Sequence, residues 1–482
     1  MLAAFIVLLR VAVLAGEFDT VITAATFEAA REDRTALRAF LHRMPKGGDL
    51  HTHLGGAVFA ERFIAWAAQQ GLCVDLRNVV LPKPQCDGAG AVPVADAMRD
   101  QNLYNRLVDT LSMRAFLRTP AVPTGHDEFF AAFDKFGTVS GSHLVDMTLD
   151  QLKLYDSQNV QYVEFMVSSS CPNDRERFVK AISEATDNAL KLAALEASGL
   201  ADCVAAERSD LTAAIGKITI ALACDARNAQ PGCGVTFRYI VQINRNNSPD
   251  DVFVQTAIAA ALIRAEPHVV ALNFVGPEDN LVARRDYTCH MQIIRFLAKD
   301  VPVALHAGEL WLGLVPPPDL AFHIRAAIEI AGARRIGHGV SLAFERDMED
   351  LLAEMRARPV VVEINLTSND LILGVRGKDH PLPAYLAAGV PVVLSSDDAG
   401  ISRIDLTNEY VRAARDYGLG YRLLKAIARN ALIYSFLDEG QKRDELKRFD
   451  RACAEFERSV AGRQTPLQNA VALIKAAVTS PP

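Results

Sequence analysis

Four short stretches of the chain combine histidines and carboxylates in patterns that suit metal-assisted chemistry. His51 and His53 lie two apart in MPKGGDLHTHLGG, and they are followed by HAGE at 306–309, GHG at 337–339 and SSDD at 395–398. Alternate residues of a β-strand point to the same side, so the two imidazoles of the HxH pair are expected to face one interior. Such a pair is a weak indication alone, and it is the whole set that indicates a site.

Neutral imidazoles and carboxylates are suitable ligands for a borderline cation such as zinc. Three histidines and one aspartate leave room for an activated water at the metal. Each remaining polar residue has an ordinary structural explanation when it is taken singly: Glu309 as a helix-terminus carboxylate, His338 as a loop histidine and Asp398 as an N-cap. Separate structural explanations do not account for all of these residues occurring together in these motifs of one chain.

The elements that must position these residues follow an alternating pattern. Short apolar runs rich in β-branched residues alternate with longer segments of helical periodicity, which is typical of parallel strands and crossover helices. We expect eight strands, near residues 48–53, 160–167, 237–243, 269–275, 301–306, 335–338, 360–366 and 391–396. An α/β fold of the closed (β/α)8 TIM-barrel type is favoured over a doubly wound open sheet. Histidines or acids end strands one, five, six and eight, and only a barrel brings those four ends around one mouth.

The expected domain organisation is one barrel domain, residues 45–482, with additions. Residues 17–44 are expected to form an N-terminal helical extension, and the regions 73–126 and 195–234 are interpreted as insertions around the barrel mouth and rim. The tail from Leu423 onward, with LKAIARNALIYSFL, is expected to form closing helices. A single barrel with insertions accounts for the length of 482 residues.

Composition and charge limit the classes of partner. Half of the residues are apolar and 23% are charged, which is the balance of a globular protein with a substantial core. The formal net charge is -7, and no dense Lys/Arg stretch occurs. The chain therefore lacks the electrostatic footprint of a protein that binds a nucleic-acid polymer, and a small-molecule partner is expected.

The first sixteen residues, MLAAFIVLLRVAVLAG, form an apolar run. This segment, 1–16, is too short for an ordinary membrane span but suits the h-region of a signal peptide, with the small residues Val13 and Ala15 before a cut near Gly16. Export to the periplasm or the medium is therefore favoured. No basic residue precedes the run and Arg10 interrupts it, so a buried N-terminal helix, a misplaced start codon and a cytoplasmic location stay open.

The eight cysteines include no CxxC and no other close thiolate cluster of the kind that zinc sites use. Cys73 with Cys86, and Cys224 with Cys233, lie in turn-rich segments at loop-like separations. Two short-loop disulfides are expected if the protein is exported, and free, partly buried thiols are the alternative.

The ordered motifs resemble those of adenosine deaminase and its amidohydrolase relatives. In that family HxH, HAGE, GHG and SDD or TDD lie on strands one, five, six and eight, and the match here runs through about residues 45–437, including FFAAFDKFG and ARNALIYSFL. A single motif is weak, whereas the ordered set is specific. The MPKG opening and the apolar N-terminus resemble the secreted adenosine-deaminase-like branch more than the compact cytosolic enzyme.

The resemblance implies one zinc ion per chain, held by His51, His53, His306 and Asp397. A second metal is not expected. Two-metal amidohydrolases commonly carry a bridging carboxylated lysine at the end of strand four, and VVALNFVG contains no lysine.

The resemblance also implies roles for residues beside the metal. Glu309 corresponds to the proton donor to purine N1, with the raised pKa that this requires. His338 resembles the residue that orients water, acts as a base and stabilises charge, and Asp398 resembles the one that hydrogen-bonds the attacking hydroxide and purine N7. Gly276 matches the glycine whose backbone N–H meets purine N3, and His53 is expected to contact substrate as well.

The expected function is zinc-dependent hydrolytic deamination of adenosine, and of 2'-deoxyadenosine or related 6-aminopurine nucleosides. Alternatives with the same chemistry are amidohydrolases acting on adenine, AMP or an N6-substituted adenine nucleotide. The cytidine-deaminase class is excluded, because its HxE and PCxxC signature is absent. A non-catalytic extracellular adenosine-deaminase-like binding protein is disfavoured, since all of the expected ligands and acids are present.

Two departures from the family pattern concern the substrate site. The compact enzymes have HxHLDG, whose aspartate hydrogen-bonds the ribose 5'-hydroxyl. Gly55 stands at that position here, so loss of the 5'-hydroxyl is expected to reduce activity little. Asn365 replaces the cysteine of a CPxSN sequence that continues here with Ser368 and Asn369.

Other aromatic residues and histidines have ordinary explanations. Helical spacing predicts that Phe129, Phe130, Phe133 and Phe136 pack in the core rather than contact substrate. The histidines outside the motifs are expected to be structural or surface residues; they are His126, His143, His268, His290, His323 and His380.

Overall fold

The computed structural model describes residues 2–77, 80–83, 86, 90–169 and 171–463. Residue 1 of the expected signal segment and residues 464–482 of the expected barrel domain lie outside the described residues. The strands of the described chain are β1 (Gly48–His53), β2 (Cys73–Asp75), β3 (Val80–Lys83), β4 (Ala91–Pro93), β5 (Tyr162–Ser168), β6 (Thr236–Asn244), β7 (Val269–Val275), β8 (Ala304–Ala307), β9 (Arg335–His338), β10 (Val361–Ile364) and β11 (Val392–Leu394).

Eight of these strands form the parallel barrel. β1, β5, β6 and β7 make one four-stranded sheet in that order, and β8, β9, β10 and β11 make a second one. Parallel bridges between Leu272 and Val303 and between Thr52 and Asp397 join the two sheets at both seams. The strands therefore close into a (β/α)8 barrel, which confirms the predicted fold.

The barrel strands are apolar because both of their faces are covered. Every residue of β1, β8, β9, β10 and β11 is buried. Parallel strands of this kind consist of short Val, Ile and Leu runs, which is why periodicity located them. β8 begins at Ala304 rather than near residue 301, because Pro302 has no N–H to donate to a ladder.

Helices cover the barrel and build the additions around it. The α-helices of the described chain are α1 (Leu2–Arg31), α2 (Arg34–Arg43), α3 (Leu54–Ala57), α4 (Ala60–Gln69), α5 (Val94–Ala97), α6 (Gln101–Thr110), α7 (His126–Ser140), α8 (Leu144–Ser157), α9 (Pro172–Ile182), α10 (Asn188–Ala197), α11 (Leu200–Leu222), α12 (Pro249–Ala265), α13 (Leu281–Arg285), α14 (Tyr287–Leu297), α15 (His323–Glu329), α16 (Met348–Ala357), α17 (Leu366–Leu373), α18 (Leu382–Ala387), α19 (Ala399–Ser402), α20 (Leu406–Asp416), α21 (Tyr421–Ile433) and α22 (Glu439–Ala461). Short 3₁₀ turns span Met113–Ala115, Pro317–Leu320, Val340–Phe344 and Gly377–Asp379.

The two expected insertions carry structure of their own. In the region 73–126, β3, β2 and β4 form a small antiparallel sheet, followed by α5 and α6. In the region 195–234, the 23-residue helix α11 packs on α8 and α12. The additions therefore lie against the barrel as packed elements.

Three disulfides lie within or beside these additions: Cys73–Cys86, Cys171–Cys203 and Cys224–Cys233. The first and the third are the short-loop pairs expected from the sequence. The second joins the start of α9 to α11 across 32 residues, a separation that loop-like spacing does not reveal. Cys289 and Cys453 are free thiols.

The terminal helices pack against each other. α1 lies on α22, and α2 lies on α20. Phe27, Phe40, Tyr421 and Phe456 form an aromatic cluster, with ring centroids 5.3 to 6.4 Å apart. Of the helices that the structure describes, none has the length and apolar character that a membrane crossing requires.

Thiol titration checks the disulfide pattern. Because six cysteines are paired, protein unfolded without reductant should expose two thiols, and reduction should raise the number to eight. Cys289→Ser should lower the unreduced count to one. A count of eight before reduction would contradict the pairing.

Candidate active site

The ends of the barrel strands bring four ligand-type side chains to one point. His51 and His53 lie in β1 and His306 in β8, while Asp397 follows β11. His306 Nε2 lies 3.1 Å from His51 Nε2 and 3.2 Å from His53 Nε2. Asp397 Oδ1 lies 3.3 Å from His51 Nε2 and 3.4 Å from His53 Nε2. The structure therefore assembles the four predicted ligands, all of them buried.

The opposite ring nitrogen of each histidine is held by an oxygen atom. The contacts are His51 Nδ1 to Glu363 Oε2 at 2.6 Å, His53 Nδ1 to Gln242 Oε1 at 2.7 Å and His306 Nδ1 to Asn273 Oδ1 at 3.0 Å. Asn273 Oδ1 also accepts the backbone N–H of His306, which fixes its amide orientation. A neutral imidazole that donates through Nδ1 carries its lone pair on Nε2, so three lone pairs converge.

This convergence creates a site for a cation. Asp397 Oδ1 is buried and has no hydrogen-bond partner among the described residues. Three lone pairs beside an ionised carboxylate repel one another unless a positive charge lies between them. The pKa of His51 also indicates that positive charge is favoured here: burial lowers it, but Asp397 and Glu363 raise it overall to about 10. Three imidazoles and one carboxylate suit a catalytic zinc ion that keeps an open position, so these residues fit the predicted metal.

Glu309 and His338 lie beside the ligands. His338 Nε2 is 3.5 Å from Glu309 Oε1 and 3.9 Å from Asp397 Oδ2. Burial raises the pKa of Glu309, and the charge of Asp397 adds to this effect while His338 opposes it. A buried carboxyl group that keeps its proton can act as a general acid.

A buried network holds the loop that carries Glu309. Glu278 accepts the backbone N–H of Gly308 at 3.1 Å and that of Glu309 at 2.8 Å. His323 Nδ1 lies 2.6 Å from Glu278, and Arg245 lies 3.4 Å from Glu278 and 3.7 Å from Glu309 Oε2. Burial alone would raise the pKa of Glu278, but Arg245 and His323 lower it to about 2. The loop is therefore anchored by a permanently ionised carboxylate.

Asn369 bridges the buried rings of His338 and His380. Asn369 Oδ1 lies 2.8 Å from His338 Nδ1 and accepts a hydrogen bond from it, while Asn369 Nδ2 lies 2.8 Å from His380 Nε2. Burial lowers the pKa of His380 to about 3. The His338 ring is therefore held in one orientation, in which Nε2 faces Glu309.

Asp398 occupies space that Gly56 leaves open. A Cβ on Gly56 would lie 1.6 Å from Asp398 Oδ1, so only glycine permits this approach. That oxygen is buried without a hydrogen-bond partner among the described residues, and burial together with Asp397 raises the pKa of Asp398 well above its usual value. Gly276 has φ +90° and lines the same cavity, and a Cβ there would lie 2.7 Å from Asn246 Nδ2. Both predicted substrate contacts thus border the space above the cluster.

A cavity of about 550 Å³ opens over the ligand cluster. This volume lies within the range of small-molecule sites. Phe129 is buried, as predicted for a core residue, but Phe129, Phe130 and Phe133 also border the cavity. The prediction that these rings only pack in the core was therefore incomplete, because helical spacing does not distinguish a core face from a cavity wall. The aromatic side chains provide an apolar wall for a planar heterocycle.

The residues that hold the catalytic groups in place were not predicted from the sequence. Glu363 and Asn273 are polar residues within the buried strands β10 and β7, which was an available signal. Arg335 pairs with Glu363 at 2.6 Å, and nothing local in the sequence connects these two residues. His323 and His380 are buried structural residues, as expected, yet each supports a catalytic loop or side chain.

Glu363→Gln should weaken metal binding by about 10-fold to 100-fold, because an amide holds the Nδ1 proton of His51 less strongly than a carboxylate does. Competition with a chelator of known affinity measures the change. Glu345→Gln is the matched control, since Glu345 is also buried and accepts the backbone N–H of Ile324. Equal metal affinities of the two variants would contradict the role assigned to Glu363.

Comparison with known proteins identifies the family of this chain. Residues 99–452 match the family model described as Adenosine deaminase. The match covers well over half of the chain and begins after the HxH pair, which the fold brings back to the remaining ligands.

Two curated relatives are deaminases by name. Aminodeoxyfutalosine deaminase of Streptomyces coelicolor is 37% identical over 186 residues, which cover 38% of this chain and 44% of the relative. Adenosine deaminase of Salmonella dublin is 36% identical over 184 residues, which cover 38% of this chain and 51% of the relative. The chain spans about half the length of these curated relatives.

A similar solved structure is the apo N6-methyl-AMP deaminase from Arabidopsis thaliana. It has a TM-score of 0.56 and 20% identity, and the match covers 87% of this chain and 99% of that one. At this identity the likeness shows the fold. The ordered ligands, the barrel and the family match together show that the chain belongs to the adenosine deaminase family.

Proposed function

We propose that this protein catalyses the zinc-dependent hydrolytic deamination of adenosine and 2'-deoxyadenosine, with release of ammonia. The observation that carries the proposal is the convergence of three Nε2 atoms and Asp397 Oδ1 beneath a cavity that also contains Glu309, a buried carboxyl group whose pKa is raised. Zinc, when bound, supplies the Lewis acidity that makes a water molecule nucleophilic near neutral pH.

The side chains of this protein handle the protons and position the purine. Glu309 donates its proton to purine N1 as water adds to C6, because charge develops on the ring at that moment. His338, whose Nε2 lies beside Glu309 and Asp397, orients the attacking oxygen and takes a proton from it. Asp398, whose pKa is raised, hydrogen-bonds purine N7, and the N–H of Gly276 meets N3. The proton that His338 has taken passes to the amino nitrogen as the C6–N bond breaks and ammonia leaves, and the remaining proton of the added oxygen returns to Glu309, so the product is a 6-oxopurine nucleoside.

Adenine, AMP and N6-substituted adenine nucleotides are the alternative substrates with the same chemistry. The relatives named above differ in the compound on which they act, so family membership does not select among these substrates. A non-catalytic extracellular adenosine-deaminase-like binding protein is the alternative from another class. That alternative does not account for a buried acid with a raised pKa beside the metal ligands.

We also propose that the protein is exported. Three disulfides support this location, because disulfides persist mainly in oxidising compartments. An exported protein would begin near Gly16, whereas a cytoplasmic one would keep the apolar N-terminal run.

A substrate panel tests the proposed reaction. Metal-loaded protein should release ammonia from adenosine and 2'-deoxyadenosine faster than from adenine, AMP or N6-methyl-AMP, and metal analysis should return one zinc per chain. A chelator should abolish turnover, and added zinc should restore it. Two equivalents of metal, or full activity without metal, would refute the single-zinc site. Zinc binding without turnover of any compound would favour the binding protein.

Glu309→Gln should keep its zinc but lose turnover by about 100-fold or more, because an amide cannot donate an acidic proton. Steady-state kinetics on zinc-loaded protein measures the effect. Asp134→Asn is the control, since Asp134 borders the same cavity but is exposed. A Glu309→Gln variant with more than about a tenth of the normal kcat would reassign the acid.

A further inference from the structure

A second cavity of about 550 Å³ adjoins the one above the metal ligands. The two cavities share the side chains of His53, Phe133, Ser168 and Gln242 in their walls. Each of them is large enough for a small-molecule group. A molecule whose reacting carbon lies at the ligand cluster can therefore extend past this shared wall into the second cavity.

The wall of the second cavity is mainly apolar, and glycines without side chains leave part of its volume open. Met147, Leu211 and Val241 are buried residues that border it. A Cβ on Gly137 would meet no atom within 4 Å, and one on Gly55 would meet only Phe136 at 3.7 Å. The space beside the catalytic cavity is thus open to a substituent with little hydrogen-bonding capacity.

The charged side chains of this cavity are acidic. Glu207 and Asp210, both on insertion helix α11, border it, and Glu207 accepts a hydrogen bond from Ser169. Among the described residues that border either cavity, none is a lysine or an arginine. A phosphate group would find no cation here and would face carboxylates, which disfavours anionic substrates.

The direction of extension follows from the chemistry of the substrate. In a 6-aminopurine nucleoside the sugar is attached on the side of the purine opposite the amino-bearing carbon. With that carbon at the ligand cluster, the sugar lies on the far side of the purine from the metal ligands and carries its primary carbon there. We propose, on the basis of the function proposed above, that the second cavity binds a neutral, largely apolar group on this carbon. The substrate class would then be uncharged 5'-substituted 6-aminopurine nucleosides, with nucleotides excluded.

Zinc-loaded protein should be compared with adenosine, 5'-deoxy-5'-methylthioadenosine and AMP. The methylthio compound should have a kcat/KM within about tenfold of adenosine or above it, because the cavity receives the added group. AMP should be at least about 100-fold poorer than adenosine, because its phosphate is left unpaired. A methylthio compound more than about 100-fold poorer than adenosine, or AMP equal to adenosine, would overturn the inference.

Two variants locate the effect in the second cavity. Gly137→Leu fills it and should lower the ratio of kcat/KM for the methylthio compound to that for adenosine by about tenfold, mainly through KM. Gly216→Leu is the matched control, since Gly216 is also a helical glycine with no atom within 4 Å of an added Cβ, and it should leave the ratio unchanged. Equal losses for both substrates in Gly137→Leu would overturn the assignment of the cavity.

A third variant tests whether the acidic lining excludes nucleotides. Asp210→Lys exchanges an exposed carboxylate for an ammonium and should raise kcat/KM for AMP by about tenfold. An unchanged value would overturn the role of charge in excluding nucleotides. If zinc-loaded wild-type protein releases ammonia from none of the three compounds, the proposed function itself fails. Turnover of adenosine without turnover of the methylthio compound contradicts only the role of the second cavity.

Discussion

Every catalytic feature of this protein depends on holding three imidazole lone pairs and one carboxylate at a single buried point. Such a group is stable only with a cation, and it assembles only if each ring is fixed in one orientation. For His51, the contacts that hold the ring continue through a series of buried charged residues in the barrel. Glu363 holds Nδ1, Arg335 pairs with Glu363 at 2.6 Å, and Glu164 pairs with Arg335 at 2.6 Å. Arg335 Nη2 also donates to the carbonyl of Leu50, so this chain of contacts joins β1, β5, β9 and β10.

Loss of one residue from this series of buried charges is expected to destabilise the fold. Removing one partner of a buried pair leaves an uncompensated charge, which typically costs about 3–5 kcal/mol. The strands that carry the metal ligands and the strands that carry the supporting charges are the same strands. Metal affinity and barrel stability are therefore coupled in this protein.

The site also shifts the pKa values of neighbouring carboxyl groups in opposite directions. Glu278 has a pKa of about 2, while burial raises that of Glu309, although Glu278 accepts the backbone N–H of Glu309. Asp397 and Asp398 differ in the same way. Burial acts on both, but His51 and His53 hold the pKa of Asp397 well below its usual value, whereas that of Asp398 is well above it. The pKa values of one ligand and one anchor are thus lowered, and those of two groups that border the cavity are raised.

The barrel carries the chemistry, whereas the insertions shape the space around the substrate. Helix α11 contributes Glu207 and Asp210 to the second cavity, and Cys203 lies one helical turn before Glu207. The disulfide from Cys203 to Cys171 ties this helix to the start of α9, which follows barrel strand β5. This part of the wall of the second cavity is therefore covalently joined to the barrel.

Local pattern by itself determined the barrel and the groups that react. Strands buried on both faces must be apolar, so short Val, Ile and Leu runs marked them, and β7 and β9 have the predicted bounds. Polar residues at the ends of such strands have few structural uses, which marked these positions, and the resemblance to the family named His51, His306 and Asp397 as ligands. Only the tertiary structure decided how these groups are supported: the pairing of Glu363 with Arg335, the bridge of Asn369 between His338 and His380, the third disulfide and the second cavity. These contacts join residues from different strands and helices, and periodicity reports only which way a side chain faces, not which distant residue it meets.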